Sequence, residues 1–172
     1  MKNYFALPLL ALLTSFSFIG NDWFKTQIDK TVSVQFPLKA DKDKSSGQEV
    51  FISSTDAGIF TATSMKLPEK FKVPEDATEM SKLLNGVMDG TMKSIRGTIT
   101  SKKDGLIGVI PVKEAKFTGT FPGTDTEGIG YKRILITGRV LYAFEYWPLV
   151  EENEDTETER NTFFDSIEIA AK

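Results

Sequence analysis

The chain of 172 residues contains neither cysteine nor histidine. Without cysteine it has no disulfide bond, no thiolate metal site and no thiol that could carry a lipid. Without histidine a Ser-His-Asp triad is impossible, and the most frequent general base of enzymes is missing. We therefore expect a protein that is not an enzyme and that holds no cofactor and no metal.

The chain also has no large excess of either sign of charge, because 21 basic and 24 acidic residues leave a formal net charge of −3. Domains that bind nucleic acid usually have a pI above ~9, so we expect no nucleic-acid partner. Catalysis by a pair of carboxylates, as in glycosidases, stays open as the less favoured alternative of a carboxylate-dependent hydrolase. Nothing in the sequence fixes two acids at the separation that such catalysis needs.

The most apolar run lies near the start of the chain, between Tyr4 and Leu13, after Lys2 and before Ser15 and Ser17. This layout is typical of a secretory signal peptide, and the run is shorter than the ~20 apolar residues that span a bilayer. We expect residues 1–20 to be a signal peptide that is cleaved after Ser17, which places a small residue three positions before the cut, in preference to Gly20. Residues 21–172 are then expected to form one domain without a transmembrane span, in the periplasm or outside the cell.

Alternating apolar residues predict the first strand of this domain. Val32, Val34 and Phe36 alternate with polar residues as far as Pro37, which predicts a half-buried strand over 31–36.

A polar segment and a hairpin follow that strand. Residues 39–47 are polar and mixed in charge, which favours an exposed loop. Residues 49–53 and 59–67 are rich in β-forming residues and are separated by a short turn over 55–58, so we expect a β-hairpin.

The segment 76–96 shows the clearest helical periodicity of the chain. Asp76 and Glu79 resemble a capping box, and Gly97 stands where a helix commonly ends. Apolar residues recur at steps of three and four along one face of this helix: Met80, Leu83, Leu84, Val87, Met88, Met92 and Ile95.

A meander of strands is predicted after this helix, over 98–102, 106–112, 113–121, 131–137 and 140–147, with a turn at Asp104 and Gly105. The last of these strands is apolar on both faces, which is typical of a central strand covered on both sides. An acidic segment over 151–159 leads into a short final helix over 160–166. The fold class expected is α+β, with an antiparallel sheet of about six or seven strands and helices packed on its faces.

Four short motifs occur in order along the chain: Val32-Ser33-Val34-Gln35-Phe36-Pro37, Phe121-Pro122-Gly123, Tyr142 after Gly138-Arg139, and Phe163-Phe164-Asp165-Ser166-Ile167. This series resembles the PsbP-like family, whose fold is shared by the photosystem extrinsic protein and a Ran-binding nuclear import factor and which includes small exported bacterial proteins. The resemblance covers 23–169 and implies an α/β/α sandwich and a binding module without catalytic chemistry. The docking residues of the photosynthetic members match no position here, and a nuclear partner is incompatible with export, so neither activity is carried over.

The leading hypothesis for function is an exported, non-catalytic accessory module that contacts another protein of the envelope or extracellular space. Tyr131, Arg133 and Trp147 combine apolar area with polar groups, as interface anchors do, and form the predicted partner surface. Packing at the sheet edge or under the last helix is the alternative role of these three residues.

A second hypothesis is a carrier of a small apolar ligand. Met80, Leu84, Met88 and Met92 on the long helix are flexible or apolar side chains that suit an adaptable pocket, although packing in the core between helix and sheet is the favoured explanation.

Two further segments suggest ligands less strongly. The acidic segment 151–159 offers oxygen ligands for calcium but lacks the EF-hand pattern, so a solvated surface near a helix start is favoured. The glycines around 119–130 lack the context of a phosphate-binding loop and are interpreted as turn residues.

The signal-peptide prediction is tested by the N-terminus of the mature protein. We expect N-terminal sequencing and intact mass of the exported protein to show a chain that begins at Phe18. A chain in the same fraction that still begins at Met1 would contradict the prediction.

Overall fold

A computed structural model describes residues 23–45, 47–121, 124 and 126–170. The predicted signal peptide lies outside the described residues, as do Pro122 and Gly123 of the second family motif. Among the described residues, no helix combines the length and the apolar character needed to cross a membrane.

The described part of the chain forms two antiparallel sheets and two helices in an α+β arrangement, which confirms the expected fold class. The elements are β1 (Phe24–Gln27), β2 (Val32–Phe36), β3 (Asp41–Ser45), β4 (Gln48–Ser54), β5 (Gly58–Lys66), α1 (Ala77–Ser94), β6 (Thr98–Ile107), β7 (Ile110–Thr120), β8 (Glu127–Thr137), β9 (Val140–Pro148), α2 (Glu154–Asp165) and β10 (Glu168–Ile169). The large sheet has the strand order β3-β4-β5-β9-β8-β7-β6, and the small one the order β1-β2-β10.

Helix α1 covers one face of the large sheet. It begins after Asp76, whose side chain accepts hydrogen bonds from the backbone of Thr78 and Glu79, and this satisfies two of the free donors of the first turn. Its buried stripe packs against Phe117 and Trp147, whose rings meet edge to face with centroids 5.0 Å apart. This layer is the first of two hydrophobic cores.

Helix α2 and the small sheet cover part of the opposite face. Asn153 caps α2 in a reciprocal box with Thr156. Phe163 is the centre of this layer, because its ring lies 5.4 Å from that of Phe36 and 5.3 Å from that of Phe60. The large sheet is therefore buried on both sides, as the two apolar faces of its central strand β9 predict.

The structure corrects several predictions of where strands, turns and helices begin and end. Residues 41–45, predicted as a loop, form the edge strand β3, and 24–27 form a strand that the sequence analysis did not predict. The turn predicted at Asp104 and Gly105 is wrong, since β6 runs to Ile107 and the chain reverses at Gly108, where φ is +59° in the left-handed region. Helix α2 begins at Glu154 and so includes much of the acidic segment.

Close packing explains why residue 130, in strand β8, is a glycine. A Cβ atom on Gly130 would lie 2.5 Å from Cζ of Phe117, a ring that is completely buried in the α1 layer. A Cβ atom on Gly90, on the exposed side of α1, would meet no described atom within 4 Å.

We expect Gly130→Ala to lower the free energy of unfolding by about 1–3 kcal/mol, because the buried ring must move to accept the methyl group. Gly90→Ala is the matched control and is expected to raise it by about 0.5–1 kcal/mol through helix propensity. Denaturant unfolding measures both changes, and equal effects of the two substitutions would contradict the packing argument.

Candidate functional site

A groove of about 620 Å³ lies between α2 and the strands β6, β7 and β8, where the face of the large sheet extends beyond the cover of α2. Its lining comes from these four elements: Ser101, Lys102, Lys103, Glu114, Ala115, Lys116, Tyr131, Arg133, Arg160, Asn161, Phe164 and Asp165. We call this part the basic end of the groove.

A smaller depression of about 280 Å³ continues the groove toward the β6–β7 turn. It shares Glu114, Arg133, Phe164 and Asp165 with the basic end, so the two form one continuous groove. Its other lining residues are Gly105 and four apolar ones, Leu106, Ile107, Val112 and Ile167. We call this part the apolar end.

Strand alternation brings the polar residues of the floor to one face. Side chains two apart on a strand share a face, and directly paired residues of neighbouring strands do so too. Glu114 pairs with Arg133 on one side and with Lys103 on the other, and Lys116 pairs with Tyr131. Three strands thus contribute one compact polar floor.

Arg133 joins the two ends of the groove. Its Nη1 donates a 2.6 Å hydrogen bond to the backbone carbonyl of Phe164, and its Nη2 lies 2.8 Å from Glu114 and 3.6 Å from Asp165. The guanidinium also lies over the Phe164 ring, 5.1 Å from its centroid. These contacts connect β8 to the last turn of α2 and hold the side chain in one position.

Tyr131 forms the floor beside Arg133 and lies between two cations. Nζ of Lys116 is 5.3 Å from the ring centroid, and the guanidinium of Arg160 is 4.5 Å from it. The Tyr131 hydroxyl donates a hydrogen bond to Glu152, which also pairs with Lys116 at 2.7 Å. The ring is therefore held in place by cation–π contacts, with the Lys116 and Arg160 cations over it.

Cations outnumber acids in the lining of the groove. Among the described residues that line the basic end, five are cationic and two, Glu114 and Asp165, are acidic. Glu114 is shared by Lys103 and Arg133, so one carboxylate faces two positive groups. Three acids just outside the lining, Asp89, Glu152 and Glu157, pair with Lys102, Lys116 and Arg160, so the charges of the groove and its rim are balanced in number.

The structure brings together two of the three residues predicted for a partner surface. Tyr131 and Arg133 line the groove, whereas Trp147 is completely buried in the α1 layer on the opposite face of the sheet. Met80, Leu84, Met88 and Met92 are buried in that same layer, where they pack with Phe117 and Ile134. Lys103, Lys116 and Arg160 complete the groove and were not among the predicted site residues.

The pKa values of several side chains in this chain are shifted, some downward by hydrogen bonds from lysines and some upward by burial. Hydrogen bonds from Lys44 and Lys42 lower the pKa of Glu49, and a hydrogen bond from Lys113 lowers that of Asp104. Burial raises the pKa of Glu159, which lies on α2 outside the groove lining, and burial together with the charge of Glu159 raises the pKa of Tyr146. Oε2 of Glu159 and the Tyr146 hydroxyl are buried without a hydrogen-bond partner of ordinary geometry among the described residues.

The acidic segment does not gather into a metal site in the described part of the chain. No group of three or more acidic side chains there has an arrangement that could hold a metal ion. Glu154, Asp155 and Glu157 instead occupy the first turn of α2, where the helix dipole favours negative charge.

The fold is similar to that of cyanobacterial PsbP from Synechocystis sp. PCC 6803, whose solution structure aligns with a TM-score of 0.61 at 11% sequence identity over 92% of this chain and 99% of that one. A structure from Bacteroides thetaiotaomicron aligns with a TM-score of 0.48 at 12% identity, over 82% of this chain and 46% of that one. The chain matches no protein-family model and no curated protein by sequence. The fold is thus PsbP-like, in agreement with the resemblance of the four motifs.

The partly buried carboxyl of Glu159 leads to a pH-dependent prediction. Because its pKa is raised in the folded state, the native protein binds this proton more tightly than the unfolded chain, and its contribution to stability falls as the pH rises through the interval between the ordinary and the raised pKa. Glu159→Gln removes this penalty, so we expect the variant to gain stability relative to the wild type as the pH rises above the ordinary pKa of a glutamate.

Thermal unfolding at several pH values measures the effect. Glu69→Gln, at an exposed position before α1, is the control and is expected to leave the pH dependence unchanged. A difference between Glu159→Gln and the wild type that stays constant with pH would contradict the assignment.

Proposed function

We propose that this PsbP-like chain is an exported, non-catalytic accessory module that binds another protein of the envelope or extracellular space through the groove between α2 and β6–β8. Residues 1–20 serve as its signal peptide, and residues 21–172 form the domain that acts after export. The groove with Tyr131 and Arg133 at its centre is the observation that carries the proposal.

The groove combines the features of a protein-binding surface. It offers an aromatic platform, two arginines and an apolar end, and Tyr and Arg are the residue types enriched in binding hot spots. Arg133 is only 11% exposed and is held by three groups, so little side-chain entropy is lost when a partner binds. A preformed site of this kind favours recognition.

The chemistry of the groove supports binding more than catalysis. Glu114 and Asp165 both contact Arg133, and the carboxyl whose pKa is raised, Glu159, is not part of the lining. A carboxylate-dependent hydrolase needs an acid and a base at the same cleft with separated pKa values. The PsbP-like fold is compatible with this function, since the family resemblance implies modules that act by contact.

Site-specific photocrosslinking in the native envelope tests the proposal. A photoreactive residue in place of Asn161, on the wall of the groove, is expected to form an adduct with a partner protein. The same residue in place of Lys72, an exposed position before α1, is the control and is expected to give no such adduct.

A second variant links the adduct to the groove chemistry. Combining the Asn161 crosslinker with Lys103→Glu, which changes an exposed cation of the floor, is expected to reduce the adduct severalfold. Equal adduct yields from positions 161 and 72 would argue against the groove as the binding surface. So would an adduct yield from position 161 that Lys103→Glu does not change.

A further inference from the structure

We infer that an extended segment of the partner protein joins the large sheet as an additional strand, hydrogen-bonded to the outer edge of β6. The inference rests on the proposed function and adds the way in which the partner is held. Recognition comes from backbone hydrogen bonds along the edge and from two adjacent apolar side chains of the segment, one on each face of the sheet.

The backbone of β6 offers hydrogen-bonding groups to such a strand. In the described part of the chain β6 is the last strand of the large sheet, and its ten residues exceed the five of β3 at the other edge. Pro111 of β7 faces Leu106 and has no N–H, so this pair exchanges no hydrogen bonds. Because bonded and non-bonded pairs alternate along an antiparallel ladder, the N–H and C=O groups of Lys102, Asp104 and Leu106 point away from β7. Each of the three offers one donor and one acceptor to an incoming strand.

The charged side chains of β6 lie over their own sheet and leave this edge accessible. Each is paired with a residue of α1 or β7: Lys102 with Asp89 at 2.7 Å, Lys103 with Glu114 at 2.9 Å, and Asp104 with Lys113. Since every charge of the strand has a partner of opposite sign within the chain, binding at the edge depends on hydrogen bonds and shape and not on an excess of charge.

A second copy of this chain fits the edge poorly. Pairing β6 with β6 of another copy about a two-fold axis places the central residue opposite itself. At the middle of the strand that residue is Lys102, Lys103 or Asp104, so like charges face each other directly, which destabilises the pairing. A segment of another protein has no such symmetry, and it is the occupant that we assign to the edge.

Two depressions beside β6 determine which side chains the added strand carries. The apolar end of the groove lies on one face of the strand, beside Gly105, and a depression of about 310 Å³ on the α1 side has Ala77, Leu106 and Pro111 in its lining. In an antiparallel arrangement, the residue opposite Leu106 lies on the α1 side and the next residue lies over Gly105. The absence of a side chain at Gly105 leaves room for an aromatic ring. We therefore expect a β-branched apolar residue followed by an aromatic one.

Fluorescence anisotropy with labelled peptides tests the inference. The parent peptide is a short threonine-rich strand with a central valine followed by phenylalanine. One derivative carries N-methyl groups on the valine and on the second residue after it, whose donors face β6. The control derivative carries them on the phenylalanine and on the second residue after it, whose donors face away. We expect the first derivative to bind at least about tenfold more weakly than the parent peptide and the control to bind equally well.

The side-chain and charge assignments give two further expectations for the same peptide. Alanine in place of its phenylalanine is expected to weaken binding about tenfold, because the apolar end of the groove then stays uncovered. Added salt is expected to change the affinity of the parent peptide less than about twofold, because no excess of charge at the edge contributes to binding.

Two substitutions at one position locate the peptide on β6. Lys102→Pro removes an outward N–H without breaking the ladder with β7, whereas Lys102→Ala loses the same ion pair and keeps the N–H. We expect Lys102→Pro to weaken binding of the parent peptide about tenfold, because the proline ring also occupies the edge, and Lys102→Ala to leave it unchanged. Thermal unfolding verifies that both variants are folded, and the N-methyl comparison uses the wild-type protein and does not depend on them.

Three results would overturn the inference. They are equal affinity of the two N-methyl derivatives, equal effects of Lys102→Pro and Lys102→Ala, and a dimer in analytical ultracentrifugation that Lys102→Pro dissociates, since a second copy would then occupy the edge. If the Asn161 adduct forms in the envelope and Lys102→Pro leaves its yield unchanged, the groove stands as the partner surface and only the strand addition is wrong.

Discussion

The two-sided burial of the large sheet is the constraint on which the rest of the structure depends. Alternate residues of β8 and β9 belong to different layers, with Ile134 and Trp147 under α1 and Leu135 and Phe144 on the opposite side. A shift of one residue in the register of either strand would turn each of these side chains to the wrong layer and disrupt the packing of both. The positions of the polar residues on these strands are fixed by the same register.

The groove follows from unequal cover of the two faces. The α1 layer extends over β7, which contributes Ala115 and Phe117, whereas α2 and the small sheet reach the other face mainly over β5 and β9. Strand β8 crosses this boundary, so Leu135 is core while Arg133 and Tyr131, two and four residues earlier on the same face, line the groove. Arg133 tolerates partial burial because its guanidinium donates to a carbonyl and contacts two carboxylates.

Much of the fold could be predicted from the sequence, because apolar periodicity identifies α1 and the inner strands directly. Edge strand β3 (DKDKS) has no apolar face and lacks this signal. The site was predictable only in part, because Tyr131 and Arg133 lie on one face of the sheet and Trp147 lies on the other. Which residues share a face depends on the pairing of Tyr131 with Tyr146, and one sequence does not reveal that pairing. Lys103 and Lys116 join them only through pairings between three strands.

Charged residues of this molecule contribute both to the stability of α2 and to the shape of the groove. Acids at the start of α2 stabilise that helix through its dipole, and one of them, Glu157, also pairs with Arg160 of the groove. Lys103, Lys116, Arg133 and Arg160 are paired with four acids, Glu114, Glu152, Glu157 and Asp165, so every one of these cations has at least one partner that orients it. An oriented side chain loses less conformational entropy on binding than a free one, so ion pairs that add little to stability can still hold the groove in a fixed shape for binding.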